Sequence, residues 1–260
     1  MLNRIALFAL ILTLPIVLEG VPASLTPYAE KAHLALSESL TRLYELNRNR
    51  NAGWITPDEY AARIRSDVIP RIALSAVELS RLSQTSRSDG TWLASSARTL
   101  QRKHQELETI ALIFETEDRL LDVDALMRKR QFDSAASTLD LFWVSDRQRI
   151  EAQVAVIDEF SSDAAHALRT DLERFNEAAL RLEFLLAERH LSTLKAAAFS
   201  QTRAPAASGD NSEWEALHAS TRAQIQRFDF LARMSPSESI DPYRNRFTEI
   251  DRLFGGDSLP

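Results

Sequence analysis

The feature that most constrains this chain is a long stretch, from Thr91 to Ala204, that contains neither glycine nor proline. In its first third, large apolar residues recur at every seventh position, and the alternate position of the same heptad is mostly small. The large positions are Leu93, Leu100, Leu107, Phe114 and Leu121, and the alternate positions are Ala97, His104, Ala111, Asp118 and Ala125. This pattern predicts one long amphipathic helix from Thr91 to about Arg130 whose seam faces another helix.

The rest of the stretch keeps an apolar pattern but changes its phase. A tight turn is predicted at Gln131–Asp133, where the first helix ends. The segment Ser161-Ser162-Asp163 can end one helix and cap the next, because serine and aspartate side chains accept hydrogen bonds from free backbone N–H groups. We therefore expect two or three antiparallel helices here rather than one rod.

Two further helices are predicted before this stretch, from Thr26 to Arg50 and from Thr56 to Ser86. The second begins with Thr56-Pro57-Asp58-Glu59, which has the spacing of a capping box and a proline in the first turn. Pro70 lies within this helix. Because proline lacks an N–H group and clashes with the preceding turn, we expect a kink or break near Asp67-Val68.

Strand patterns are nearly absent, because β-branched residues never alternate over a useful run. The predicted fold class is all-α: a bundle of long antiparallel amphipathic helices, arranged as helical hairpins, with a short C-terminal helical pair after a linker. The predicted domains are a signal peptide or N-terminal membrane anchor over 1–23, the helical bundle over 24–199, a flexible linker over 200–212, and C-terminal helices and a tail over 213–260.

The N-terminus has the features of an export signal. Arg4 precedes the apolar run Ile5–Leu18, and Val21-Pro22-Ala23 suits a small-residue cleavage site. The run is shorter than the roughly 20 residues that span a bilayer. We therefore expect a cleaved secretory signal, with an uncleaved anchor in the inner membrane as the alternative.

The composition restricts both the compartment expected for the chain and the chemistry that it can perform. The chain has no cysteine, so it can form no disulfide and perform no thiol catalysis, and it has no Asn-x-Ser/Thr acceptor. An exported chain of this kind suits a bacterial periplasm. The net charge is −6 and no basic block stands apart from acids, so no nucleic-acid partner is predicted.

Three acid–histidine pairs are the only candidates for a metal site. An acid and a histidine three residues apart share a helix face, as in di-iron carboxylate bundles, but such a site needs two more inward-facing carboxylates. The pairs are Glu30/His33, Asp163/His166 and Glu215/His218, and Glu177 and Glu183 are the candidate partners. Pairs at this spacing arise often in acid-rich helices, so surface ion pairs are the preferred interpretation. No catalytic residue, cofactor or metal ligand is predicted.

Other polar and aromatic residues have plain structural interpretations. His104 and Asp118 can set the register of the seam or lie at its wet edge. The acidic run from Glu115 to Asp124 is expected to be a solvated helix face. The tryptophans lie near predicted helix ends, where they can pack the ends of the bundle or anchor a partner; they are Trp54, Trp92, Trp143 and Trp214.

No phosphate-binding glycine loop, nucleophile elbow or zinc-protease motif is present in the sequence. The first functional hypothesis is an exported, non-enzymatic helical protein that binds a partner in the cell envelope, as an assembly, scaffold or adaptor factor. The alternatives are a periplasmic sensory or ligand-binding bundle and, less favoured, a carboxylate–histidine metalloenzyme. The predicted partners are another envelope protein or a second copy through helices, with membrane contact only through residues 1–21 if the signal is not cleaved.

Overall fold

The computed structural model of the chain describes residues 26–85, 90–203, 212–235 and 238–254. Nearly all of these residues are helical and none of them forms a strand, which confirms the all-α class. The helices are α1 (Thr26–Asn51), α2 (Pro57–Arg63), α3 (Ile69–Thr85), α4 (Gly90–Arg128), α5 (Phe132–Leu141), α6 (Arg147–Asp158), α7 (Ser162–Arg203), α8 (Ser212–Met234) and α9 (Ile240–Phe254), with π-helical turns π1 (Ile64–Val68) and π2 (Phe142–Asp146).

Among the described residues, no helix combines the length and the apolar character needed to cross a bilayer. The predicted signal segment, residues 1–23, lies outside them. The predicted linker, 200–212, also lies mostly outside them, and within them α7 continues to Arg203.

The predicted capping box at the start of α2 is confirmed. The Thr56 hydroxyl accepts a hydrogen bond from the Glu59 N–H at 3.1 Å, and the Glu59 carboxylate accepts one from the Thr56 N–H at 3.0 Å. The preceding turn passes through Gly53, whose φ of 75° is left-handed and suits glycine. Local chemistry alone therefore ends α1 and begins α2.

The predicted interruption at Pro70 takes the form of π1 rather than a break. The Ile69 N–H donates to the Ile64 carbonyl, five residues back, and the helix then continues as α3. Because Pro70 has no N–H, the carbonyl four residues before it has no helical donor, and the wider turn accommodates this mismatch.

The heptad on α4 is confirmed at Leu93, Leu100 and Leu107, is partly buried at Phe114, and is wrong at its last large position. Leu93, Leu100 and Leu107 are buried, but Leu121 is 54% exposed. A straight helix has about 3.6 residues per turn, so a strict seven-residue seam drifts around it. Between Glu106 and Ile113 almost every side chain is buried, which shows that this part of α4 is surrounded by other residues.

The two predicted turns after α4 are confirmed. Arg130 has a φ of 62°, and α5 begins at Phe132, within the predicted turn. At the second turn, the Ser161 hydroxyl accepts a hydrogen bond from the Ala164 N–H at 3.4 Å, and α7 follows.

The described residues form two compact units. The first comprises the described part of residues 1–122 together with Asp140–Phe175, and the second comprises Val123–Leu139 and the described residues from Asn176 onward. The first unit buries Tyr60, Phe142 and Trp143 completely or almost so. The second unit is built around Phe228 and Phe247, which are fully buried between helices.

Candidate functional site

A polar cleft of about 580 Å³ lies along α1 and π1–α3 in the first unit. Its lining contains two guanidinium groups, three carboxylates and three hydroxyls, and no apolar side chain. The lining residues are Ser37, Glu38, Thr41, Arg42, Glu45, Ser66, Asp67 and Arg71. Such a lining can bind polar or zwitterionic molecules and does not suit an apolar ligand.

Ion pairs between α1 and π1–α3 fix the shape of this cleft. Arg42 donates to Asp67 at 2.8 Å, and Arg71 donates to Glu38 at 2.6 Å. The Ser66 hydroxyl also donates to Asp67, at 2.6 Å. The hydrogen bonds from Ser66 and Arg42 hold the pKa of the Asp67 carboxyl below its ordinary value. Both signs of charge in the cleft are therefore compensated within the protein.

Exposed apolar side chains lie along α5, π2 and α6, interrupted by the exposed Gln148, and we call Leu141, Val144, Ala152 and Ala155 the α5–α6 stripe. Leu141 is 56% exposed and Val144 is 57% exposed, while the two alanines are also exposed. These are large fractions for aliphatic side chains, because apolar surface left in water costs free energy.

The opposite side of the same segment is firmly anchored. Phe142 and Trp143 are buried, and their rings meet edge to face at 5.0 Å. Asp146, only 2% exposed, accepts a hydrogen bond from Arg119 of α4. The α5–α6 stripe is thus a rigid apolar surface and not a loosely attached helix.

A second exposed row lies on α3, and we call Pro70, Leu74, Val77 and Arg81 the α3 stripe. Leu74 is 71% exposed and Val77 is 65% exposed, the highest values among the exposed aliphatic side chains of the described residues. The spacing of four, three and four residues is that of a coiled-coil seam.

The first part of the acidic run on α4 is not the solvated face that we predicted from sequence, whereas Asp122 is exposed and Asp124 is 43% exposed. Glu117 pairs with Arg50 at 3.3 Å, and both side chains are about nine-tenths buried. Glu115 and Glu108 both accept from Arg65 of π1. The arginine partners are far away in sequence, so no local pattern reveals these pairs.

The same region contains a half-buried carboxyl, Asp171. Burial raises the pKa of Asp171 above its ordinary value, although Arg174 donates a hydrogen bond to it at 3.1 Å. The nearby negative charge of Glu117 acts in the same direction as burial. The protonation of Asp171 therefore makes the stability of the first unit depend on pH.

The acid–histidine pairs do not form metal sites within the described residues, where no group of three or more histidine and acidic side chains could hold a metal ion. His218 lies 2.9 Å from Asp251 of α9, and Glu215 is exposed. Asp163, His166 and Glu177 are likewise exposed, and Glu183 pairs with Arg227. The side chain of His33 lies outside the described residues.

The second unit contains a histidine–serine contact that was not predicted from the sequence. His190 Nε2 lies 2.8 Å from the Ser220 hydroxyl, and burial lowers the pKa of His190, which favours the neutral imidazole. Ser220 lies inside α8, where the backbone N–H groups are used by the helix, so the neighbouring backbone supplies no oxyanion donors. The contact joins α7 to α8 and has the features of a structural link.

Two of the tryptophans have opposite environments. Trp143 is fully buried, whereas Trp54 at the α1–α2 turn is 69% exposed. Trp92 is half-buried, and the side chain of Trp214 lies outside the described residues. Trp143 therefore has a packing role, and Trp54 is exposed where it can contact a partner.

Comparisons of this chain with protein-family models, with curated proteins and with solved structures find no significant match. What the protein does must therefore be inferred from its own residues.

Proposed function

We propose that this chain is an exported, non-enzymatic helical protein that binds a partner protein in the cell envelope. The signal-like N-terminus supports export. The absence of catalytic motifs from the sequence supports a binding role. The observation that carries the proposal is the α5–α6 stripe, because apolar surface left in water on a rigid element is typical of interaction sites.

The stripe suits an amphipathic helix of the partner. Leu141 and Val144 project from the surface at one end, while Ala152 and Ala155 leave a shallow strip at the other. A partner helix can place small residues opposite Leu141 and large ones opposite the alanines, in the manner of knobs and holes. Arg149 and Glu151 flank the strip and are exposed, which provides a polar rim.

Photocrosslinking in intact cells tests this proposal. A photoreactive amino acid is placed at Val144 and, as the control, at Glu173, an exposed position of α7 in the same unit. We expect one partner protein to be trapped from position 144 and not from 173, and the adduct to be lost when Leu141→Glu is added. The same products from both positions would contradict the proposal.

Ligand binding is a second candidate, and the polar cleft favours it. Arg42 and Arg71 could exchange their protein carboxylates for those of a ligand, while Glu38 and Asp67 could bind its amino groups. Isothermal titration with free amino acids and short peptides tests this candidate. Saturable binding that Arg42→Gln abolishes would support it, and the absence of any binding heat would rule it out for these ligands.

A further inference from the structure

We propose that two copies of this chain associate through their α3 stripes, with the two α3 helices antiparallel across a two-fold axis at Leu74. This inference concerns a surface other than the α5–α6 stripe and does not depend on the partner proposed above. The exposed fractions of Leu74 and Val77 are larger than those of Leu141 and Val144, so the free energy gained by covering the α3 stripe is at least comparable.

The spacing of the stripe favours a second helix as its cover. Pro70, Leu74, Val77 and Arg81 follow one another at intervals of four, three and four residues, and all four are exposed. Side chains at these intervals form one continuous row along a helix and interlock with a matching row on another helix. Proline at one end of the row is compatible with this contact, since it needs no hydrogen bond to the neighbouring helix.

The charges at the ends of the row identify the second helix as another copy. In an antiparallel pair centred on Leu74, the residue seven positions before it faces the residue seven positions after it. These residues are Asp67 and Arg81. Asp67 of each copy therefore faces Arg81 of the other, and the two-fold axis gives two such pairs in one interface. By the same rule Val77 faces Arg71 and Pro70 faces Glu78 of the second copy. Leu74 against Leu74 is therefore the apolar centre of the contact, and the Asp67–Arg81 pairs lie at its two ends.

Both charged groups are available for this contact. Arg81 is exposed and forms no ion pair with any residue that the structure describes. Asp67 is about one-third exposed and accepts one hydrogen bond from Ser66 and two from Arg42, which leaves about one acceptor position on a carboxylate that has about four. The pairing therefore adds a contact without breaking the cleft.

Disulfide trapping tests the geometry directly, because the native chain has no cysteine. Leu74→Cys introduces one thiol per chain. At the two-fold axis it faces the same thiol of the second copy, and the proposed contact places the two Cα atoms within the roughly 7 Å that a disulfide requires. The matched control is Leu185→Cys, at a helical leucine that is 55% exposed. Both full-length variants are oxidised at the same protein concentration after measuring how fast a small thiol reagent labels them.

We expect Leu74→Cys to form covalent dimers at least tenfold faster than Leu185→Cys. Equal rates, or a Leu74→Cys thiol that the reagent cannot reach because another part of the chain covers it, would overturn the proposal. Sedimentation equilibrium gives an independent readout: Leu74→Glu and Arg81→Glu should each raise the dimer dissociation constant at least tenfold, whereas Arg149→Glu, an exposed arginine on α6, should not. A monomer at all concentrations would also overturn it.

Discussion

The ion pair between Glu183 of α7 and Arg227 of α8 gives a sharp test of what holds the second unit together. The Glu183 side chain is 7% exposed and that of Arg227 is 21% exposed, and Arg227 donates to both carboxylate oxygens. Glu183→Ala removes this carboxylate from beside a largely buried guanidinium. Breaking a buried pair in this way costs about 3–5 kcal/mol, and the partial exposure of Arg227 places the expected loss at about 3 kcal/mol.

The matched control is the pair between Glu188 of α7 and Arg246 of α9. It has the same chemistry, with one hydrogen bond of 2.9 Å, but its side chains are 45% and 37% exposed. Solvent already screens this pair, so Glu188→Ala should cost less than about 1 kcal/mol. The hydrogen bond from Arg246 is also the main reason that the pKa of Glu188 lies below its ordinary value, so this small contribution should be lost as the pH falls through the folded-state pKa.

Urea unfolding followed by circular dichroism measures both losses, fitted to as many transitions as the two compact units show. A double variant, Glu183→Leu with Arg227→Leu, removes both charges and should recover most of the free energy of unfolding lost in Glu183→Ala. If Glu183→Ala costs no more than Glu188→Ala, or if the double variant is no more stable than the single one, burial does not govern the strength of these pairs.

Four further outcomes are expected. Thr56→Ala should lower the free energy of unfolding by about 1 kcal/mol, because it removes the capping box, whereas Thr99→Ala in the middle of α4 should change it by less than about 0.5 kcal/mol in the same urea experiment. Gly53→Ala should cost about 1 kcal/mol in that experiment, because alanine at a left-handed φ is strained. Asp171→Asn should stabilise the protein at neutral pH, since burial raises the pKa of this carboxyl and its ionised form is unfavourable; the gain should disappear in unfolding curves measured as the pH falls below the folded-state pKa. Mass spectrometry of the exported protein should find a chain that begins at Ser24, and a membrane-bound pool retaining residues 1–23 would replace cleavage with anchoring.

The parts of the fold that the sequence predicted correctly depend on neighbouring residues. The capping box at Thr56, the turn at Ser161 and the interruption at Pro70 each follow from chemistry within a few positions of the chain. The form of the interruption was not predictable, because a proline inside a helix can produce a kink, a break or a π-turn, and packing against other helices decides among them.

The features that could not be predicted depend on residues far apart in the chain. Arg50 and Glu117 are both ordinary surface residue types in the sequence, and only the packing of α1 against α4 buries them as a pair. Leu121 continues the heptad and yet is exposed, because a strict seven-residue seam drifts around a straight helix of about 3.6 residues per turn. A periodic pattern identifies the helix but not which of its turns are covered.

The α5–α6 stripe could not be predicted from the sequence for a related reason. Leu141, Phe142, Trp143 and Val144 form a continuous apolar run, in which no side of the helix stands out as the buried one. The π2 turn buries Phe142 and Trp143 together and leaves Leu141 and Val144 outside. Only the structure could separate the anchoring residues of this run from the exposed ones.

The most direct test of the proposed function is the dissociation constant between the purified chain and the protein trapped at position 144, measured for the native chain and for Val144→Glu. A glutamate at the centre of an apolar contact should raise this constant at least thirtyfold, about 2 kcal/mol, the loss typical of a residue that dominates an interface. Leu185→Glu, the same change at an exposed leucine of the second unit, should leave it unchanged. Equal dissociation constants for the native chain and Val144→Glu would contradict the claim that the α5–α6 stripe is the binding surface.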